Sequence, residues 1–163
     1  GVWGAQAVAV AVSLAMVDAT MDEIWDGVMS CAPKDSWFEE TLKRAADIVE
    51  RAQGDIAQAW MPLHNDLFST HRSTVCEALP EVFGCLKLRH ENFKSGLLLA
   101  CNFGRDADTI GAVAGAVLGA RYGAGSIPQH WISKTQFPSG TCLSFTKGID
   151  ILDYADKIAA LMK

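Results

Sequence analysis

Asn102-Phe103-Gly104-Arg105-Asp106-Ala107-Asp108-Thr109-Ile110-Gly111 closes one apolar helical stretch and opens a second that is rich in small residues. Asp106, Asp108 and Thr109 crowd hard oxygen donors together between apolar flanks, which is the donor chemistry of a bound divalent cation. With Asp106 as N-cap residue and Asp108 and Thr109 in the first helical turn, the three side chains can converge over the helix N-terminus. Without a metal, the same residues would satisfy free backbone N–H groups and the positive end of the helix dipole, a contribution of about 1 kcal/mol. On Asp-x-Asp alone, capping is the simpler reading.

The helix behind the cluster shifts that balance. Gly111, Gly115, Gly119 and Gly123 recur every fourth residue, although an interior glycine costs about 1 kcal/mol relative to alanine. Such a stripe leaves a groove that a neighbouring helix backbone can enter, with Gly123 serving alternatively as a C-terminal cap. Packing is therefore the role assigned to these glycines. They are expected to bring the Asp cluster into the domain centre and to bury it.

Working outward, helical punctuation recurs from end to end and alternating strand patterns are absent, so the chain reads as all-α. An Ala-rich helix spans Val2 to Val17. Thr20 with Glu23 forms a capping-box start for a helix to Cys31, and Ser36 with Glu39 repeats the device for Trp37 to Gln53, which puts Leu42, Ala45, Ala46, Val49 and Ala52 on one face. Gly54 is the expected C-terminal cap. Asp55 then caps Ile56 to Met61, which Pro62 is expected to end, leaving His64 to His71 as a polar loop. Helices are expected over Thr74 to Leu88, Glu91 to Cys101 and Ala107 to Tyr122. A short one follows Ser126-Ile127-Pro128 through Ile132, Lys134 to Gly148 is loop, and an amphipathic helix runs from Ile149 to Met162.

At 163 residues, half of them hydrophobic, the chain is expected to form a single helical domain or part-domain over 1–163. The formal charge of -5, with no Lys/Arg-rich run, argues against nucleic-acid backbone binding but allows a small anion held through a metal. Five cysteines without a Cys-x-x-Cys pair read as mostly buried free thiols, Cys101 among them, in a reducing, cytoplasmic setting. The Val2 to Val17 stretch lacks a basic lead-in and contains Gln6 and Ser13, so it reads as a packed helix and not as a signal or a membrane span. Opening on Gly1 directly into such a helix, the chain is expected to be a piece of a longer one.

The run from Asn102 to Ala116, continued by Leu118-Gly119-Ala120-Arg121-Tyr122-Gly123, Ile127-Pro128 and Trp131, resembles the C-terminal signature of the ADP-ribosylglycohydrolase family. The Ala-rich first helix, Ala32-Pro33 and Leu79-Pro80 are similar more loosely. The resemblance implies a compact orthogonal helical bundle carrying two Mg2+ (or Mn2+) ions. It implies a hydrolase for the glycosidic bond between ADP-ribose and an acceptor side chain, so ADP-ribose or an ADP-ribosylated protein is the implied partner. Asp106, Asp108 and Thr109 match the family's second metal-ligand group. Metals so held would orient ribose hydroxyls, stabilise charge at the anomeric centre and activate a water.

The family's first ligand group, a Thr-Asp-Asp, has no counterpart here, and neither does its glycine-rich phosphate loop. The chain is therefore expected to correspond to the C-terminal half of an enzyme, to hold half of the metal centre, and to associate with a missing N-terminal half or with a second copy. The alternative is a non-catalytic, crystallin-like helical module. Arg105 and His71 are the substrate-binding candidates. Arg105 would either pair with the neighbouring carboxylates or reach a ligand phosphate, and His71, with Arg72, Ser73 and Thr74, would line a cleft. His64 reads as a surface or hydrogen-bonded histidine, and His130 and Trp131 as packing residues.

Overall fold

A computed structural model of the chain describes residues 1–161, and among these there are α-helices and short 3₁₀ turns but no strand. In order they are α1 Val2–Met16, α2 Met21–Ser30, α3 Trp37–Ala52, α4 Ile56–Asp66, α5 Val75–Leu88, α6 Phe93–Asn102, α7 Ala107–Tyr122, α8 Gln129–Thr135 and α9 Ile151–Ala160. The chain forms two compact units, Gly1–Ser126 with α1 to α7 and Ile127–Lys163 with α8 and α9.

The first unit is organised around α5. Every residue from Glu77 to Leu86 is buried, as expected of a helix that is apolar on nearly all sides, and α5 packs against α2, α3, α4, α6 and α7. Around it, caps set the helix starts. Thr20 and Glu23 close a reciprocal capping box on α2, Ser36 accepts from the Glu39 backbone N–H at 3.1 Å, and Asp55 accepts from Ala57 at 2.9 Å. The end of α3 falls one residue before the expected glycine. Gln53 itself adopts the left-handed conformation, with Gly54 following at φ +84°.

Helix α4 departs further from expectation, for it continues through Pro62 to Asp66. Proline removes one intrahelical hydrogen bond, but Ala59 and Leu63 are fully buried and hold the helix on both sides of it. Leu63 seats against Gly84 of α5, where an added Cβ would come within 3.0 Å. His64 therefore lies on a helix, and the polar loop shrinks to residues 67–74.

Helix α1 is a packed element, burying Gly4, Ala7, Ala11 and Ala15 and contacting α2 and α7. Its other faces are apolar and open, with Val2 and Trp3 exposed. Among the described residues no helix is long and apolar enough to cross a membrane. In the second unit, Gln136 at the end of α8 donates to both carboxylate oxygens of Asp150, the N-cap of α9. His130 and Trp131 meet edge to face at 5.9 Å, and Ile151 and Ile158 of α9 are exposed. Met162, expected to end that helix, lies outside the described residues.

Candidate functional site

The Asp cluster is delivered by the packing of α6 on α7. A Cβ added at Gly111 would lie 2.7 Å from Cys101 Sγ, one at Gly115 would lie 3.5 Å from Leu97, and one at Gly119 would lie 3.9 Å from Phe93. The partners descend by four as the glycines ascend by four, so the two helices run antiparallel with the stripe as their contact line. Gly123, at φ +71°, is the C-cap. The packing role expected of the stripe therefore holds, and the closest approach falls at Gly111, one turn from the cluster. Cys101 itself is exposed, Cys142 likewise, and Cys31 and Cys76 are half-buried. Only Cys85 is buried, so the cysteines are less enclosed than their apolar neighbours suggest.

Between α6 and α7 the chain turns sharply. Phe103 is buried and held by ring contacts from α4, with Trp60 at 5.1 Å and His64 at 5.9 Å. Gly104 (φ +95°) and Arg105 (φ +53°) then take consecutive left-handed conformations. For glycine this is free, whereas for arginine the left-handed region costs about 1 to 2 kcal/mol.

Arg105 is held in that conformation by its side chain. Its Nε donates to Glu77 Oε1 at 2.5 Å, its Nη2 donates to the Ser69 carbonyl at 2.7 Å, and the guanidinium lies 4.3 Å from the centre of the Phe68 ring. The expected pairing with Asp106 or Asp108 is thus replaced by one with a glutamate from the core helix. The reason is geometric: a left-handed Arg105 sends its side chain back toward α5 and the 67–74 loop.

Glu77 is fully buried, and both of its oxygens are occupied, since Oε2 accepts from the Ser69 N–H at 2.5 Å. Burial alone would push this carboxyl up, but the hydrogen bonds from Arg105 and Ser69 and the Arg105 charge outweigh it and hold the group below the ordinary glutamate value. The Ser69 hydroxyl donates to the His71 carbonyl at 3.0 Å and lies 3.3 Å from Thr74 Oγ1. Arg105 and His71 are consequently joined through Ser69. His71 contributes its backbone to this network, and its side chain is exposed.

Glu81, one turn beyond Glu77, is also fully buried, yet neither of its carboxyl oxygens has a hydrogen-bond partner. Burial, joined by the charges of Glu77 and Asp106 and opposed by Arg105, pushes it up to about 8. Sequence reading passed over Ser69, Glu77 and Glu81. The available signal was two glutamates four apart in Val75 to Leu88, a stretch otherwise apolar enough to be core.

Asp106 is the N-cap residue of α7, and its carbonyl accepts from Ile110 N–H at 2.9 Å. Its side chain, however, makes no capping hydrogen bond, is buried, and leaves Oδ2 without a partner. Asp108 and Thr109 fall in the first turn as expected but are exposed, so the stripe buries only the first of the three. Thr109 lines a cleft of about 470 Å³ whose other walls are largely apolar, among them Gly4, Val8, Val75, Leu79 and Val113.

The donors fit part of a divalent-cation site. A buried carboxylate oxygen left without a hydrogen-bond partner, two and three residues from an exposed carboxylate and hydroxyl, suits a hard cation and is costly otherwise. Two carboxylates and a hydroxyl fall short of the six or more oxygens such ions take. Among the described residues no group of three or more His, Cys, Asp or Glu side chains is arranged to hold a metal.

The family described as ADP-ribosylglycohydrolase matches residues 1–163. The chain is 52% identical over 44 residues to an ADP-ribosyl-(dinitrogen reductase) glycohydrolase of Rhodospirillum rubrum, covering 27% of this chain and 15% of that protein. It is 46% identical over 44 residues to the ADP-ribosylarginine hydrolase Tri1 of Serratia proteamaculans, covering 27% and 12%. A longer match, 31% identical over 130 residues, is to an uncharacterized protein of Archaeoglobus fulgidus, covering 79% of this chain and 39% of that one. The chain thus spans well under half of each relative in these matches. No solved structure matches.

Proposed function

The chain belongs to the ADP-ribosylglycohydrolase family, and on that premise we propose that it supplies one of two metal-ligand groups in a hydrolase of the bond between ADP-ribose and an acceptor side chain. Asp106, Asp108 and Thr109 are the ligands in this reading, for Mg2+ or Mn2+. The observation that carries it is the Asp106 side chain: an aspartate at an N-cap that does not cap, buried with Oδ2 unpaired, is what a ligand position requires and what a capping residue would avoid. Two bound cations would supply Lewis acidity and an activated water. The chain's own contribution is to hold three oxygens at the head of α7 and to keep Arg105 paired with Glu77, so that its guanidinium does not compete for the carboxylates.

The remaining ligands come, in this reading, from a further helical portion of the same fold. The extra length of the matched relatives and the open apolar faces of α1 support this. The five free cysteines fit a reducing compartment, and the protein is assigned to the cytoplasm on that ground.

The test is Mn2+ titration of the chain and of its Asp106→Ala and Asp108→Ala variants, together with ADP-ribose release by the complete protein carrying the same changes. Binding and release are expected to fall in both variants. Equal binding and equal release in all three proteins would overturn the ligand assignment, and no release by any of them would favour the non-catalytic helical module.

A further inference from the structure

We propose that Glu77 is a positioning residue for the metal-bearing turn, acting through Arg105 and at no point touching the metal. The inference rests on the reading of Asp106, Asp108 and Thr109 as ligands and adds to it the device that sets their geometry.

Three observations lead to it. First, Asp106 is preceded by two consecutive left-handed residues, and Arg105 is the one for which that conformation is unfavourable. Nothing in its own backbone keeps it there. Second, the side chain that opposes relaxation ends on Glu77 and on the Ser69 carbonyl, both belonging to elements distant in sequence. Third, Glu77 is fully buried in the most enclosed helix of the fold and has both oxygens committed, one to Arg105 and one to the Ser69 N–H. A single carboxylate therefore ties the 67–74 loop and the 103–106 turn to α5.

The consequence for the ligands is direct. If the Glu77 anchor is removed, Arg105 is free to return to negative φ, and the rotation is passed to the next residue, Asp106, which shifts its carboxylate relative to Asp108 and Thr109. Glutamine at position 77 keeps the shape but loses the charge that holds the guanidinium. Residues one shell away from a metal that orient its ligands typically change affinity by about 10- to 100-fold when altered, and a loss in that range is expected here.

The experiment measures Mn2+ affinity by electron paramagnetic resonance for the 163-residue chain and for Glu77→Gln, Arg105→Gln, Arg105→Lys, the Glu77→Gln/Arg105→Gln double variant and Asp106→Asn. Far-ultraviolet circular dichroism checks that each is folded. Both Gln variants are expected to bind Mn2+ at least tenfold more weakly with unchanged helicity, the double variant no more weakly than either single one, and Arg105→Lys to recover part of the loss. Wild-type affinity in folded Arg105→Gln would overturn the proposal while leaving the ligand assignment intact, and so would additive losses in the double variant. Wild type binding no better than Asp106→Asn would overturn both. Should Glu77→Gln fail to fold, the two Arg105 variants decide alone, because that side chain reaches the surface.

Discussion

Glu81 gives the sharpest consequence at the scale of single residues. Its carboxyl is raised from about 4.5 to about 8 in the folded chain. Between those values the unfolded chain is ionised at this position while the folded one keeps its proton. The folded state thus binds more protons, and stability must fall as pH rises through that window. Glu81→Gln removes the titrating group but keeps its shape, so its melting temperature relative to wild type should be higher at pH 8 than at pH 5. Thermal melts at the two values test this, and an equal difference at both would show that Glu81 does not titrate there. Residues of this kind are hard to read from sequence. Asp106, Asp108 and Thr109 announce themselves by crowding, whereas Glu77 and Glu81 matter because of what surrounds them. The expected pairing of Arg105 with its neighbouring carboxylates fails for the same reason: neighbours in sequence are not its partners once φ becomes positive.

At the scale of elements, the α6–α7 pair makes a graded prediction. The site for a Cβ at Gly111 is 2.7 Å from Cys101 Sγ, and at Gly96 it is 2.8 Å from the Arg89 carbonyl oxygen and from Leu118. Alanine at either position should destabilise by about 1 to 3 kcal/mol, the usual cost of overpacking. At Gly115 the nearest atom is 3.5 Å away, and there alanine should be neutral or stabilising by up to about 1 kcal/mol through helix propensity. Urea denaturation of the three variants separates these outcomes, and a uniform effect would mean that the stripe is not a packing line. Periodicity made this pair legible in advance, as it did the caps at Thr20, Ser36 and Asp55. It failed at Pro62, where a local rule for breaking helices yielded to the burial of Ala59 and Leu63 on either side. Such burial is a property of the assembled fold and leaves little trace in eleven consecutive residues.

At the scale of the whole molecule, all-α architecture and family membership were both readable, because they rest on long patterns that tolerate local error. The boundary between Gly1–Ser126 and Ile127–Lys163 is harder to read, since Gly123-Ala124-Gly125-Ser126, which ends there, reads equally as the cap of one helix and the start of the next. Exposure of Val2, Trp3, Met16 and Val17 on and beside α1 leaves apolar surface that water solvates poorly. A mass measurement of the native assembly is expected to show this chain accompanied by further helical polypeptide, covalently joined or not. A stable monomer of 17.5 kDa would contradict that.

The cleft beside Thr109 carries one more implication. With hydrocarbon on one side of the hydroxyl and solvent on the other, a cation seated there would keep its water shell over one hemisphere alone, because apolar walls offer nothing to coordinate. An incoming ligand oxygen would then be confined to the solvent side. Aliphatic side chains, which coordinate nothing, would in this way help to decide which side of the site stays wet.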